Sequence, residues 1–371
     1  MTTDLHGIIS AYRTSPDLGV LVHGRTVSAL TFAGRYRLVD FALSSMRLAG
    51  VRNVGVIMQK EYQSLLDHIG SGKAWDFSRK DGGMTLLPPF SLDAARSGVY
   101  TGLLEALLAV ESYVQRIQEQ YVTIMPGNLA ANIDLRAVLK EHIDSGAGIT
   151  AVCAKGVPNG EHHRYITDET GDVLEMHYRR IGEREGLADL ETYIVNKNVL
   201  LEMIDHAASH MRYRLHADGI AGYLDRGGKM HTYVHEGYAM QINTVQDYME
   251  ANMHMLRRDA RMSLFPLDRP VLTKDRADVS TYYAETSKVR NSLISDGCYI
   301  EGIVENCVIA PGVHIGKGAM LSGCIIMRDT HIGENVRLKN VISDKFAQIK
   351  PGEVLVGSDS VPLVIPRGYT A

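Results

Sequence analysis

Cysteine is scarce in this sequence. The four present in 371 residues (Cys153, Cys298, Cys307 and Cys324) form no C-x-x-C pair and no cluster with zinc-like spacing. That excludes a disulfide framework and leaves reduced core thiols, as in a cytoplasmic protein. No apolar run approaches the roughly 20 residues that span a bilayer, and the amino terminus lacks a charged-then-apolar signal pattern, so no membrane partner is expected. An excess of one charge sign is missing too. A net charge of -4 offers no electrostatic footprint for nucleic acid or an anionic membrane. One absence is local. From Gly7 to Leu30 the chain reads GIISAYRTSPDLGVLVHGRTVSAL, an apolar run entering a turn that has neither closely spaced glycines nor a lysine. Such a turn denies phosphate the close backbone approach that glycine permits.

What is present points to an α/β fold of two domains. The length allows two cores, and 45% apolar with 22% charged residues is ordinary for a globular chain. Short apolar runs at 7–11, 54–58, 121–125, 149–154 and 191–195 read as strands. Between them, 41–49, 62–69, 102–118 and 135–145 read as helices; Leu103, Leu107, Val110 and Val114 fall on one stripe of the third. This alternation predicts a Rossmann-like, mostly parallel sheet over residues 1–252, with ligands at the carboxyl ends of its strands. Residues 253–287 are charged, contain Pro266 and Pro270, and read as a linker. From 288 to 371 a six-residue period takes over: Ile294 and Ile300; Ile303, Ile309, Ile315 and Leu321; Ile326, Ile332 and Leu338; Ile349 and Leu355. That period predicts a left-handed parallel β-helix of hexapeptide repeats, with the aliphatic residues filling the shaft.

Three stretches carry a family resemblance: GRYRLVDFALSS at 34–45, His68–Ile69 with Trp75–Asp76 beyond, and INTVQDYMEAN at 242–252. With the repeat domain that follows, the chain resembles the bacterial glucose-1-phosphate adenylyltransferase (ADP-glucose pyrophosphorylase) family along nearly its whole length. The departures from that family fall where its chemistry lies. Its G-G-x-G-x-R-L loop corresponds to the turn through Ala11–Pro16, where Arg13 is the remaining anion-binding side chain. Its phosphate-binding lysine corresponds to Val27, and its two metal-binding aspartates to Asn128 and Gln241. Its sugar-contacting E-K-P corresponds to Tyr178, Arg179 and Arg180, and its G-T-A-D-A to Gly102–Ala106. Taken singly, Asn128 also reads as a turn residue and Gln241 as an ordinary amide. An amide in place of a carboxylate exchanges a charge for a weak dipole. At about 4 Å and an effective dielectric near 20, each such loss against a dication is on the order of several kcal/mol.

The resemblance therefore implies a regulatory, catalytically deficient subunit for ADP-glucose synthesis in glycogen biosynthesis. It would have no cofactor of its own, with Mg2+ only at a catalytic homologue paired with it in a hetero-oligomeric tetramer. Two alternatives stay open: an active adenylyltransferase with rearranged ligands such as Asp40, Asp134 or Glu105, and a homomeric sensor of sugar phosphate or nucleotide. Arg25, Arg35, Arg37, Arg47 and Arg52 crowd one stretch. They read either as a solvated face paired with carboxylates or as a site for a phosphorylated effector. The resemblance implies the second reading, with Arg25, Arg37 and Ser64 matching family effector residues, Arg35 and Arg52 as further candidates, and AMP or fructose 1,6-bisphosphate as the effector.

Overall fold

The computed structural model describes residues 3–13, 15–88, 100, 102–155, 162–179, 186–211 and 213–370. The first domain is built on a nine-stranded sheet. Its central strand, Leu5–Ser10, is entirely buried and runs parallel to Asn53–Ile57 on one side and Tyr121–Pro126 on the other. Gly83–Leu87 adds a further parallel strand beyond Asn53–Ile57. Leu187–Asn196 runs antiparallel to Tyr121–Pro126 and also receives Ile149–Ala154 and the hairpin His162–Thr167/Val173–Arg179. The helices Val39–Leu48 and Leu135–Ser145 cover one face around Leu43, Met46, Trp75 and Val138. Leu103–Ala109 and Lys197–His210 cover the other around Leu104, Leu107, Leu200 and Ile204.

The helix expected over 102–118 is two helices, Leu103–Ala109 and Glu111–Gln115, broken at Val110. Beyond the break Tyr113 sits against Gly55, where a Cβ would lie 2.6 Å from its ring, and its hydroxyl lies 2.8 Å from His6 Nε2. A continuous stripe of apolar residues did not reveal that the second turn serves a different contact.

The segment read as a linker is structured and packed. It contains the helix Arg258–Leu264, buries Ala260, Leu264 and Val271, and enters the repeat domain at Tyr282–Tyr283. Leu272 is held at both ends of its peptide: its N–H donates to Ser44 Oγ at 2.8 Å, and its carbonyl accepts from Trp75 Nε1 at 3.1 Å.

Three five-stranded parallel sheets form the β-helix. Ile300, Ile315, Ile332 and Ile349 stack in one, and Val304, Leu321, Leu338 and Leu355 in the next. Successive coils from Ile315 to Ile332 to Ile349 take 17 residues, so one side of each is shorter than the six-residue period implies. Ile303 accordingly points outward, in register with Met320 and Arg337, and Val304 fills the shaft instead. All four cysteines are buried and free.

The two domains share a core in which Phe32, Phe41 and Tyr248 meet Ile325, Met327 and Ile342. The role of the 242–252 stretch is visible here. Thr244 and Asp247 form a capping box on the helix Val245–His254, Tyr248 donates its hydroxyl to Thr31 O at 2.6 Å, and Asn252 Oδ1 accepts from Ala33 N at 3.0 Å. Across this junction Arg25 and Asp344, 4% and 1% exposed, form an ion pair, while Arg25 Nε donates to Leu21 O at 2.5 Å. Removing one member of such a pair strands the other charge. Arg25→Met is expected to cost about 3–5 kcal/mol in urea unfolding, and Arg25→Met with Asp344→Leu to recover most of it. A double variant as unstable as the single one would contradict this account of the junction.

Candidate functional site

Two cavities concentrate polar side chains. The first, about 480 Å3, opens at the carboxyl ends of Leu5–Ser10 and Tyr121–Pro126. Beside it Gly127 packs closely on the short helix Val27–Ala29: a Cβ there would lie 2.2 Å from Ser28 Oγ and 2.9 Å from Ser28 Cβ, so a larger residue would push the two apart. Val27, Asn128, Gln241 and Tyr178 all line this cavity. The side chain of Arg179 lies outside the described residues, as does Arg180.

Asn128 Nδ2 donates to Ile242 O at 3.3 Å and Asn243 Oδ1 at 2.9 Å, which fixes the orientation of its amide. Asn128 Oδ1 and Gln241 Nε2 are buried without a hydrogen-bond partner among the described residues. Two carboxylates also line the cavity, and both are engaged. Glu191 is ion-paired with Arg13. Asp189, 1% exposed, accepts from Tyr165 and Tyr193 and lies 2.7 Å from His216 Nε2. Burial pushes its carboxyl up, but the bonds and charge of His216 outweigh that and hold it below the usual carboxylate range. His163 stacks on His216 at 3.5 Å between ring centres. Sequence reasoning missed Asp189 and Glu191, because nothing in their spacing distinguishes a buried bulge from an ordinary strand, and His216 as a site residue, because it comes from the separate helical turn Leu215–Ile220.

These donors do not suit Mg2+. Mg2+ in such sites is usually held by one or two carboxylates together with substrate phosphates, whereas Asn128 and Gln241 line this cavity with neutral amides, and Gln241 buries an N–H2 group without a partner among the described residues. Among the described residues no group of three His, Cys, Asp or Glu side chains could hold a metal ion. The carboxylates considered as substitutes have other work or other places. Asp40, fully buried, accepts from Arg37 N at 2.9 Å and lies 2.6 Å from His68 Nε2; Asp134 caps the helix Leu135–Ser145. Glu105 does not line the cavity either.

The second cavity, about 940 Å3, lies between the domains. Arg35, Arg37 and Ser64 line it, together with Gly24 and Thr31. Arg37 Nη1 donates to Ser64 O and Oγ at 2.6 and 3.0 Å. Two expectations need correction. Arg25 is consumed by Asp344 and is not among the lining residues, and Arg52 is an exposed residue ahead of the strand Asn53–Ile57 rather than part of the wall. Arg47, likewise, pairs with Asp76 at 3.1 Å.

The repeat domain supplies what the arginine-rich stretch does not. Pro311, Arg328 and Lys345 occupy the same corner of successive 17-residue coils and all face the cavity. Arg367 joins them, and it and Arg328 both lie over the Phe346 ring, at 5.5 and 5.3 Å. Eight arginine and lysine side chains line this space against four aspartates. Lys345 is only 4% exposed; burial first, then Arg37, Arg25 and Arg328, bring its ammonium down to about 7. Burial, with Arg328 and Arg25 and against the pull of Asp40, lowers Arg37 to about 10, so it stays charged at neutral pH. Such an enclosure suits a multiply charged anion. The coil period was a signal for Arg328 and Lys345, but one readable only with the 17-residue repeat in hand.

The comparisons with known proteins agree with the fold. The nucleotidyl transferase family profile matches residues 21–258, and a GlmU-like C-terminal hexapeptide profile matches 278–361. Glucose-1-phosphate adenylyltransferases of Bacillus anthracis, Bacillus thuringiensis (strain Al Hakam) and Bacillus mycoides (strain KBAB4) are each 31% identical, over 94% of this chain and 93% of theirs. The chain belongs to the glucose-1-phosphate adenylyltransferase family. Membership fixes a nucleotidyltransferase domain joined to a hexapeptide-repeat domain and a role in sugar-nucleotide synthesis. No helix among the described residues is long and apolar enough to cross a membrane.

The buried lysine gives a test by pH. Its pKa in the folded chain is about 7, against an ordinary value of 10.5. Below pH 7 folded and unfolded chains both carry the proton, and the folded state bears the whole cost of burying it. As pH rises from 7 towards 10.5 only the unfolded chain keeps the proton, so stability increases. Lys345→Met is expected to stabilise the fold by about 2 kcal/mol at pH 6 and by clearly less at pH 9, measured by urea unfolding. An equal difference at both pH values would contradict the assignment.

Proposed function

We propose that this family member is a regulatory, catalytically deficient subunit that modulates a catalytic homologue in a hetero-oligomer, a tetramer, making ADP-glucose for glycogen biosynthesis. The observation that carries the reading is the contrast between the two cavities. In the first, the metal-facing positions are the amides Asn128 and Gln241, Val27 presents methyl groups, and Arg13 is occupied by Glu191. A transferred phosphoryl group would find neither the cation nor the lysine that stabilise its charge. In the second, cations from both domains surround a space with a surplus of positive charge.

On this reading Mg2+ acts at the catalytic homologue and this chain contributes no cofactor. The interdomain cavity takes the phosphorylated effector, AMP or fructose 1,6-bisphosphate, against Arg35, Arg37, Arg328 and Lys345. Its position between the two domains supports a signalling role, because a ligand there alters how the β-helix sits on the nucleotidyltransferase domain. The exposed outer residues of the β-helix, Met320, Val354 and Val356 among them, support its use as an assembly surface.

The test is enzymatic. The purified chain alone is assayed for ADP-glucose formation from ATP and glucose 1-phosphate, then together with its catalytic homologue, with and without each effector. The isolated chain is expected to lie at least about 100-fold below the homologue, and its addition to change the homologue's kcat/KM or effector response. Brisk turnover by the chain alone, or no physical or kinetic effect on the homologue, would defeat the proposal.

A further inference from the structure

Glu191 occupies an unusual backbone. Its φ of 54° is left-handed, a conformation that a non-glycine side chain rarely adopts. It lies in a bulge of the strand Leu187–Asn196, where pairing with the neighbouring strand jumps from Asp189↔Cys153 to Thr192↔Val152. The Glu191 N–H donates to Asp189 Oδ1 at 2.8 Å, which helps to hold the bulge in place. Bulges of this kind re-aim a side chain beside a functional cavity. Here the re-aimed carboxylate meets the guanidinium of Arg13.

Arg13 follows the central strand at its carboxyl end, where ligands enter sheets of this type. The Glu191 charge raises its pKa, so the cation is held firmly. The other charges of the cavity are likewise matched from within: Arg214 lies 3.4 Å from Asp218, and Asp189 is 2.7 Å from His216.

We infer that Glu191 is an internal stand-in for a phosphate, a carboxylate placed on Arg13 so that the first cavity is a latent site for phosphate esters and diphosphates, shut by the chain itself. A carboxylate and a phosphate oxygen make the same charge-assisted contact with a guanidinium, and the tethered group competes at a high effective concentration. An incoming anion must displace it and meet its negative charge in the same cavity. The inference rests on the reading that this cavity does not carry turnover. Because it is tested by binding to the isolated chain, its failure is distinct from failure of the activity assay.

The experiment titrates ATP, and separately inorganic pyrophosphate, into the full chain by calorimetry in EDTA. Wild type, Glu191→Gln and Glu191→Gly are compared, each with and without Arg13→Ala. Binding in the interdomain cavity forms a common background that neither position touches. Both Glu191 variants are expected to gain one site per chain, or at least a tenfold tighter Kd, and to lose that gain when Arg13→Ala is added. Glycine suits the left-handed backbone, so Glu191→Gly decides the matter if the glutamine variant does not fold. The inference is overturned by no gain in the Glu191 variants, by a gain that survives Arg13→Ala, or by a wild type whose binding already falls tenfold on Arg13→Ala alone. Unfolding of both Glu191 variants would make the residue a structural brace and overturn it equally.

Discussion

Arg25 leaves the nucleotidyltransferase domain and ends on Asp344 of the β-helix, with both side chains almost wholly removed from water. Desolvating two charges is favourable only when their geometry and remaining hydrogen bonds are satisfied. Arg25 also donates to Leu21 O, and Asp344 Oδ1 accepts from Lys345 N at 2.7 Å. The pair thus ties the short helix Pro16–Val22 to the corner of one β-helix coil. That corner carries Lys345, and the coil before it carries Arg328, so the same contact brings cations of the repeat domain opposite Arg35 and Arg37. The apolar junction of Phe32, Phe41 and Tyr248 with Ile325 and Ile342 supplies adhesion, while the ion pair sets the register.

Charge is handled in opposite ways on the two sides of this molecule. In the sheet-end cavity Arg13, Arg214 and His216 each have a carboxylate nearby, and Val27, Asn128 and Gln241 are neutral. In the interdomain cavity cations crowd one another closely enough to depress a buried lysine towards neutrality. Crowded like charges are a cost to the fold, and proteins keep such costs where a ligand relieves them. The scaffold of a nucleotidyltransferase is intact throughout: the central parallel strands, the capped helix Val245–His254 and the clamp of Asp40 on His68 are all structural and do not depend on catalysis.

The strands at 121–125 and 149–154 and the helix at 135–145 were legible because apolar runs and stripes report burial directly. The hairpin His162–Thr167/Val173–Arg179 escaped notice because its residues are mostly polar and its outer strand Val173–Arg179 is a part-exposed sheet edge, which carries little pattern. Val27, Asn128 and Gln241 were singled out only through the family resemblance, and all three line one cavity. Arg25 misled because a basic cluster in sequence says nothing about which member a distant aspartate will claim. Lys345 and Arg328 lie in the other domain, far along the chain from Arg35 and Arg37, and only the coil geometry closes that gap.

The most direct measurement is a structure of the hetero-oligomer with the catalytic homologue, grown with ATP, Mg2+ and fructose 1,6-bisphosphate. The account predicts a bisphosphate between Arg37 and Lys345 of this chain and no metal-bound nucleotide between its Asn128 and Gln241. Mg2+–ATP seated against those two amides, with the interdomain cavity empty, would contradict it.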